Sequence, residues 1–396
     1  MYTEPTTMAD AELRILEVLE TIATEQEYRN HKVELKPISS EGANYTSQLF
    51  SITLSAPGKD DLKLFAKVAS FGEKMRSMSK LQVFETEITF YSTVLAKYRE
   101  LEESHKLPQE DRLVTSKFYG GTAEYMKEVI ILEDLVAKGY QSFNRFECID
   151  WEYASKCVSQ LARLHALSVA FDKDDPKRYS ELIEKLEISM PMDALKNFLS
   201  KSIETAIEST EEKYRAKVEK FLRESMNSST LQKFFRPEKR VILKHGDFRP
   251  SNILHKLNRD GKIQPVLVDY QIIQRGNPVT DLLYFLISGS DEEFRANHLD
   301  EFFDHYYEEF GKALARFGID VIEVLPRDVY DADVKELLPF GLTLGAFTLP
   351  IVTVDSSKAP KPEDGIDMDK MNVEVSDLFL ARFNGLVRDY VKMGIL

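Results

Sequence analysis

The chain has 396 residues, of which 43% are hydrophobic and 30% charged, the proportions of a globular protein and not of a disordered one. That length is enough for two lobes or two domains. The net charge of −14 argues against general binding to nucleic acids or to anionic membranes, because both require basic surfaces.

The cysteines and the N-terminal residues indicate the cellular compartment in which we expect the protein. Cys148 and Cys157 have eight residues between them, a spacing that fits neither a disulfide framework nor a zinc site, so we expect free thiols in a reducing compartment. The N-terminal segment carries acidic side chains where a signal peptide has its apolar core. No apolar run reaches the length of a membrane span, and we therefore expect a cytoplasmic protein without one.

The first predicted elements are a helix and a pair of strands. Residues 10–28 have an amphipathic helical pattern. After them Phe50, Ile52 and Leu54 alternate with polar residues, as in a half-buried strand. The turn-forming segment APGKDD leads into a second alternating strand, LKLFAKV, at residues 62–68. These two strands are predicted to form an antiparallel hairpin.

The period then changes to that of a helix at residues 80–98, followed by short strands near 114–119 and at 128–135. The apolar residues of the helix recur at spacings of four and three: Phe84, Ile88, Tyr91, Leu95 and Tyr98. The first 135 residues are therefore predicted to form a mostly antiparallel sheet with one main helix on it, preceded by the leading helix.

The remainder, residues 136–396, is predicted to be mostly helical, with an island of short strands at 241–268 and a loop at 353–370. The predicted helices are 151–170, 180–188, a charged helix pair within 193–226, 279–288, 291–316, 333–350 and 367–394. A β-rich lobe at 1–135 and a helical lobe at 136–396 make an α+β, two-lobed fold.

The strand island contains the residues with the strongest chemical signal. In HGDFRPSN, Asp247 and Asn252 stand five residues apart, and Gly246 and Pro250 favour a fixed loop over a helix. The apolar run PVLVD then ends at Asp269, so a strand delivers a carboxylate at its exit. Phosphoryl transfer needs a carboxylate near the acceptor hydroxyl and oxygen ligands for Mg²⁺, and these residues are suited to both tasks.

The first lobe supplies a candidate cation. Lys67 lies in an otherwise apolar strand, where a lysine is costly without a partner, and Glu87 lies beside the apolar stripe of the following helix. Such a pair positions ATP phosphates in kinases. The alternative is a lysine whose tip reaches solvent and an unrelated glutamate.

The segment SSEGANYTSQ stands where a hairpin flap over ATP is expected, with Gly42, Asn44 and Ser47 as candidate phosphate contacts. It is not a Walker A sequence, and no such motif occurs in the chain.

Six motifs together resemble the ecdysteroid kinase-like family, a branch of the choline kinase and aminoglycoside phosphotransferase superfamily with a protein-kinase-like fold. They are LFAKV, FETEITFY, VIILEDL, LARLHALS, HGDFRPSN and LVDYQ. The resemblance runs over most of the chain and is specific for the fold and the ATP chemistry, and less so for the acceptor.

The resemblance implies roles for matching residues. Asp247 would be the catalytic base, Asn252 and Asp269 the Mg²⁺ ligands, and Lys67, oriented by Glu87, would hold the α- and β-phosphates.

The resemblance also implies that Glu133-Asp134-Leu135 is the hinge that binds adenine through backbone groups, and that Asp281 braces the catalytic loop. His165, on the apolar face of its helix, is interpreted as a core histidine with its hydrogen bonds satisfied, and His245 as a loop-bracing residue.

Two positions depart from the family pattern. Arg249 replaces an aromatic residue, often Trp, and Tyr270 replaces Phe. Arg249 either contacts phosphate, shapes the acceptor pocket or is a surface variant. Neither change removes a group needed for transfer.

The leading hypothesis is an ATP- and Mg²⁺-dependent kinase that phosphorylates a hydroxyl of a small molecule, with an ecdysteroid or related steroid alcohol as a candidate. The alternatives are a choline, ethanolamine or xenobiotic-alcohol kinase, with an aromatic cage drawn from residues 302–310, and a catalytically inactive nucleotide-binding pseudokinase. No nucleic-acid partner is expected, and the sequence of the terminal helices does not choose between capping the lobes and dimerisation.

Overall fold

The computed structural model describes residues 7–39, 47–70, 82–186, 192–225, 242–355 and 375–396. Its N-terminal part is a five-stranded antiparallel sheet with the strand order β1-β2-β3-β5-β4. The strands are β1 (Lys32–Ile38), β2 (Ser47–Ser55), β3 (Leu62–Ala69), β4 (Phe118–Thr122) and β5 (Val129–Glu133). The β2–β3 hairpin confirms the predicted strand pair, whereas the strand predicted near 114–119 begins only at Phe118.

The leading helix α1 (Met8–Glu25) covers one face of this sheet. Its N-terminus is closed by a capping box, in which the Thr7 hydroxyl accepts from the Asp10 amide at 3.2 Å. The residues buried between α1 and the sheet come from the apolar sides of both: Ala11, Ile15, Leu19, Ile22, Phe50, Ile52, Leu64, Ala66 and Val68. Because side chains alternate along a strand, this packing leaves Lys67 on the opposite face, as predicted.

The second helix, α2, lies on that opposite face and carries Glu87. It begins as Val83–Thr89, continues through a π-helical segment at Phe90–Val94 and ends as Leu95–Ser104. The helix predicted at 80–98 is therefore present but longer at its C-terminal end, while residues 80 and 81 lie outside the described segments. π-Helical segments are rare and often stand at functional sites.

The rest of the described chain is a helical body containing two small sheets. The helices are α3 (Trp151–Asp174), α4 (Pro176–Lys185), α5 (Met192–Glu208), α6 (Glu212–Ser225), α7 (Pro278–Gly289), α8 (Glu292–Ala315), α9 (Val321–Val324), α10 (Arg327–Leu337), α11 (Phe340–Val352) and α12 (Asp377–Lys392). The strands are β6 (Gln141–Ser142), β7 (Ile242–Lys244), β8 (Ile253–Leu257), β9 (Ile263–Leu267) and β10 (Gln274–Gly276). β8 lies between β6 and β9, and β7 pairs with β10.

The single helix predicted at 333–350 is wrong, because two helices, α10 and α11, meet at Pro339 with a bend of 58°. A proline within a helix removes a backbone donor and clashes with the preceding turn, so the chain changes direction there. Among the described helices, none is by itself long and apolar enough to cross a bilayer, and α10 with α11 reaches that length and composition only as a bent pair.

The main core surrounds α3 and joins the helical body to the inner face of α2. The α+β architecture, with an N-terminal antiparallel sheet and a larger helical region, is confirmed. The lobe boundary between residues 135 and 136 stays a prediction, and most of the loop predicted at 353–370 lies outside the described residues.

Candidate active site

The loop after β7 owes its shape to Gly246. This residue has a φ of 84°, and a Cβ added to it would lie 2.3 Å from the Ile272 carbonyl oxygen. Only glycine meets both conditions without moving the backbone. The glycine of HGD therefore allows the chain to turn just before Asp247.

His245 and Asp281 stabilise this turn through hydrogen bonds to its backbone. The Asp281 carboxylate accepts the backbone amides of His245 and Gly246 at 2.7 and 2.9 Å. The His245 Nε2 lies 3.1 Å from the Val268 carbonyl, which can only accept, so Nε2 carries the proton and Nδ1 accepts from the Asp247 amide at 3.3 Å. The predicted bracing interactions of His245 and Asp281 are both present.

His165 completes the support under the loop. It is fully buried, with Nε2 3.2 Å from the Asp281 carboxylate and Nδ1 2.8 Å from the Tyr306 hydroxyl. Burial lowers the pKa of His165, outweighing the hydrogen bond to Asp281. Burial alone would raise the pKa of Asp281, but the hydrogen bond from His165 and the nearby Lys244 lower it. The interpretation of His165 as a satisfied core histidine is confirmed.

Asp247 and Asn252 are brought together by a short turn. The segment Pro250–Asn252 forms one turn of 3₁₀-helix, and the Asn252 side-chain amide donates to the Asp247 carboxylate at 2.7 Å and to its carbonyl at 3.0 Å. Both hydrogen bonds use Nδ2, and Asn252 Oδ1 has no hydrogen bond within the described part of the chain. One carboxylate oxygen of Asp247 is thereby oriented, and an amide oxygen is left for another ligand.

Asp269 follows β9 in a strained backbone conformation. Its φ is 68°, in the left-handed region that is uncommon outside glycine and that aspartate tolerates better than most residues. The preceding Val268 amide donates to the Asn252 carbonyl at 3.0 Å, so the strand exit is tied to the Asp247 loop. Such outliers persist where the surrounding structure determines them, and they cluster at functional sites.

Lys67 joins the two parts of the chain. Its ammonium group is 2.9 Å from Glu87 and 2.6 Å from Asp269, and it also donates to Gln271 at 3.3 Å. The predicted Lys67–Glu87 pair is present, both side chains being less than a tenth exposed, so the alternative of an unpaired surface lysine is wrong. Although burial disfavours the ammonium, the Asp269 and Glu87 carboxylates outweigh it and raise the pKa of Lys67.

The predicted hinge leaves one suitable backbone donor. The Leu135 carbonyl accepts from the amides of Lys138 and Tyr140, each at 3.0 Å, while its N–H donates no hydrogen bond within the described residues. The Glu133 carbonyl accepts from the Ser116 hydroxyl at 3.2 Å and retains a second lone pair. A backbone donor without a hydrogen bond next to an acceptor is the pattern that the edge of adenine requires.

Gly42 and Asn44 of the predicted flap lie outside the described residues, so only Ser47 can be placed. It is the first residue of β2, is buried, and stands opposite Ala69 of β3. The predicted phosphate contacts of this segment stay predictions.

Two residues at the site had no role in the sequence prediction. Gln271 contacts both Lys67 and, at 3.4 Å, Asp269. Tyr284, on α7, hydrogen-bonds to Asp247. Burial is the main cause that raises the pKa of Tyr284, and the negative charge of the Asp247 carboxylate is the second. Their spacing in the sequence could have suggested that they lie near the site. Gln271 is two residues beyond Asp269, and Tyr284 is three residues beyond Asp281, on the same side of a helix.

The oxygen donors present suit Mg²⁺. Asn252 Oδ1 and the Asp269 carboxylate are hard ligands of the type that this cation prefers. No group of three or more His, Cys, Asp or Glu side chains that could hold a metal occurs in the described ranges. A two-ligand arrangement agrees with kinase sites, where Mg²⁺ is bound by one or two side chains together with phosphate oxygens and water.

A small concave surface, with a cavity volume of about 10 Å³, lies next to the Arg249–Asp247 pair. Arg249 forms part of it, together with Phe143, Arg145, Gly289 and Val352. The Arg249 side chain is only 12% exposed, so its interpretation as a surface variant is wrong. Because Arg249 contacts Asp247, this surface lies next to the proposed base.

Comparison with known proteins identifies the family of this chain. A model of the ecdysteroid kinase-like family matches residues 41–319, well over half of the chain. A search of curated proteins finds no match. The chain is also similar to two solved structures of the aminoglycoside phosphotransferase APH(3'')-Id from Streptomyces rimosus, one of them in complex with ADP and streptomycin. For both, the identity is 14% and the alignment covers 83% of this chain and 97% of the other, with TM-scores of 0.30 and 0.33. The family match confirms the resemblance read from the motifs: this chain belongs to the ecdysteroid kinase-like family.

Proposed function

We propose that the protein is an ATP- and Mg²⁺-dependent kinase that transfers the γ-phosphate of ATP to a hydroxyl group of a small molecule. Family membership supports a small-molecule kinase. The observation that carries the finer proposal is the contact of Lys67 with both Glu87 and Asp269, because it joins the predicted phosphate-binding pair to the predicted metal ligand.

The chain's own residues divide the work of transfer. Asp247, oriented by Asn252, accepts the proton of the acceptor hydroxyl as that oxygen bonds to the γ-phosphorus. The bond from the γ-phosphorus to the bridging oxygen breaks at the same time, and ADP leaves. Lys67 neutralises the α- and β-phosphates, and Glu87 keeps the ammonium in place. Most of the rate enhancement comes from positioning and charge stabilisation.

Asn252 and Asp269 would hold Mg²⁺, which when bound neutralises phosphate charge. At present Asp269 accepts a hydrogen bond from Lys67 at 2.6 Å. Binding of the nucleotide would therefore break the contact between Lys67 and Asp269. Lys67 would then contact phosphate and keep its ion pair with Glu87, and Asp269 would contact the cation. The Leu135 amide and the Glu133 carbonyl would bind the adenine edge.

The family match favours a neutral alcohol of steroid type as the acceptor. A choline-like acceptor would need an aromatic cage, and the segment at 302–310 offers only the partly buried Tyr307 for it, because its other aromatic residues are buried in the core: Phe302, Phe303, Tyr306 and Phe310. The inactive alternative is disfavoured because the base, the lysine, its glutamate and both metal ligands are all present.

The proposal is tested with the purified wild-type protein. Mg²⁺ with ATP should raise the unfolding midpoint above that with Mg²⁺ alone, since a ligand that binds only the folded state stabilises it. ATP consumption and product mass are then followed with ecdysteroids, choline, ethanolamine, and phenolic and glycosidic alcohols. A mass gain of one phosphate on an ecdysteroid is the expected result. Absence of nucleotide binding, or transfer to choline in preference to every steroid, would contradict the proposal.

A further inference from the structure

Arg249 lies beside the carboxylate oxygen of Asp247 that does not accept a hydrogen bond from Asn252. Its Nε is 3.4 Å from Asp247 Oδ1, whereas Oδ2 accepts from Asn252. The backbone of Arg249 is fixed on both sides, because its amide donates to the Asp247 carbonyl at 3.0 Å and its carbonyl accepts from the Asn252 amide at 2.9 Å. A rigid loop therefore holds the guanidinium at the base.

This ion pair is not needed to orient the carboxylate. The two hydrogen bonds from Asn252 already fix Asp247, and Tyr284 adds a third contact. Arg249 instead lies on the side of the base that the proton of an acceptor hydroxyl has to reach. The pair must open when the acceptor binds, and the guanidinium, which has donors but no acceptor, is then able to bind phosphoryl oxygens.

Resting on the proposed function, we propose that Arg249 is a catalytic residue that moves from Asp247 to the transferring phosphoryl group. During transfer the γ-phosphorus lies between the acceptor oxygen beside Asp247 and the leaving oxygen of ADP, and negative charge spreads over its three outer oxygens. Arg249 binds those oxygens as the bond to the acceptor forms and the bond to ADP breaks. The proton goes to Asp247, which no longer pairs with Arg249.

The positions of the two cations at the site favour different roles for Lys67 and Arg249. Lys67 is committed to the end of the site near Glu87 and Asp269, with its Nζ 2.9 Å or less from each carboxylate. Arg249 is the cation at the other end, beside the base. A guanidinium at this place is planar and permanently charged, and it matches the geometry of phosphoryl oxygens. An arginine supplied to a phosphoryl group in transfer contributes about 10³-fold or more to the rate.

The test needs no knowledge of the acceptor. Binding of Mg-ADP is measured by calorimetry with and without aluminium fluoride, which occupies the place of the phosphoryl group in transfer. The wild-type protein should bind Mg-ADP with aluminium fluoride more tightly than Mg-ADP alone. Arg249→Met should lose about 100-fold of that gain, the effect of removing one preorganised donor, with little change for Mg-ADP alone. Arg249→Lys should keep part of the gain, and Arg275→Met, at an exposed position on β10, should keep all of it.

Two results would overturn the role of Arg249: an equal gain in Arg249→Met and the wild type, or no gain in the wild type. An Arg249→Met protein that instead needs more of a charged acceptor for half-maximal rate would assign the arginine to the acceptor. The absence of Mg-ADP binding in the wild type would count against the proposed function itself. Arg249→Lys keeps the test valid if Arg249→Met does not fold.

Discussion

Tyr270, the residue after Asp269, is packed where the helix α2 meets the strand island. Its ring stacks on Phe90 with the centroids 3.8 Å apart and lies against Tyr91 and His245. The Tyr270 hydroxyl is buried and has no hydrogen-bond partner in the described part of the chain. A buried hydroxyl without a partner loses its hydration and gains nothing in return.

Tyr270→Phe should therefore raise the free energy of unfolding by about 1 kcal/mol, since it removes the unpaired hydroxyl and keeps the ring. Tyr306→Phe is the matched control: that ring is equally buried, but its hydroxyl hydrogen-bonds to His165 at 2.8 Å, so its loss should lower stability by about 1 kcal/mol. Urea unfolding measures both. A loss of stability in Tyr270→Phe as large as in Tyr306→Phe would contradict the account.

The lowered pKa of His165 predicts a pH dependence of stability. Below pH 6.5, its ordinary pKa, the unfolded chain binds a proton at this imidazole that the folded protein does not. Stability from this group is complete above that pH and is lost as the pH falls, by about 1 kcal/mol over one pH unit.

On going from pH 7.5 to 5.5, urea unfolding should therefore show a smaller loss of stability in His165→Gln than in the wild type. His105→Gln, at an exposed position, should behave as the wild type does. Equal losses in the wild type and His165→Gln would show that the proton uptake is absent.

At the scale of elements, the contact of α11 with α12 depends on a glycine. A Cβ added to Gly341 would lie 2.3 Å from the hydroxyl oxygen of Tyr390, which is itself buried and donates to the Leu338 carbonyl. In α8, by contrast, a Cβ added to Gly311 would be 3.4 Å from the nearest side-chain atom, an ordinary contact.

Gly341→Ala should therefore destabilise the protein by about 1–3 kcal/mol through overpacking. Gly311→Ala should stabilise it by up to about 1 kcal/mol, because alanine is the better helix former. Thermal or urea unfolding of the two variants compares a packing constraint with helix propensity. The same sign for both would contradict the described helix contact.

The sequence predicted elements wherever a regular period extended over several residues. The alternation around Phe50 identified β2, and the spacing from Phe84 to Tyr98 identified α2, because each buries one face against a neighbour. A boundary that failed lies at Pro339, where the apolar run continues but the proline, which cannot donate a backbone hydrogen bond, ends the helix. The π-helical segment at Phe90–Val94 had no signal in the period.

The same distinction holds in the candidate site. The loop from His245 to Asn252 was predictable because its turn residues and its spacing are local. The contact of Lys67 with Glu87 followed from the faces of one strand and one helix. Contacts of Gln271 and Tyr284 were not predicted, because their spacings place them only near Asp269 and Asp281, and their partners depend on how α7 and the β9 exit pack together.

At the scale of the whole molecule, the central feature is that Lys67 of the N-terminal sheet reaches Asp269 of the helical region. They lie 202 positions apart in sequence, and the proposed phosphate-binding pair and the proposed base lie on different parts of the fold. On this account turnover requires both parts of the fold, but nucleotide binding and proton transfer depend on different residues. A variant at the proposed base should therefore lose turnover and keep nucleotide binding.

The most direct test of this account is therefore phosphoryl transfer by Asp247→Asn, measured with γ-labelled ATP on an alcohol that the wild type phosphorylates. The control is Asp260→Asn, on the exposed turn between β8 and β9. We expect Asp247→Asn to lose about 10²-fold or more in kcat, as for removal of a general base, and to keep wild-type affinity for Mg-ATP. The control should match the wild type in both. Turnover by Asp247→Asn near the wild-type rate would contradict the assignment of the base and the mechanism built on it.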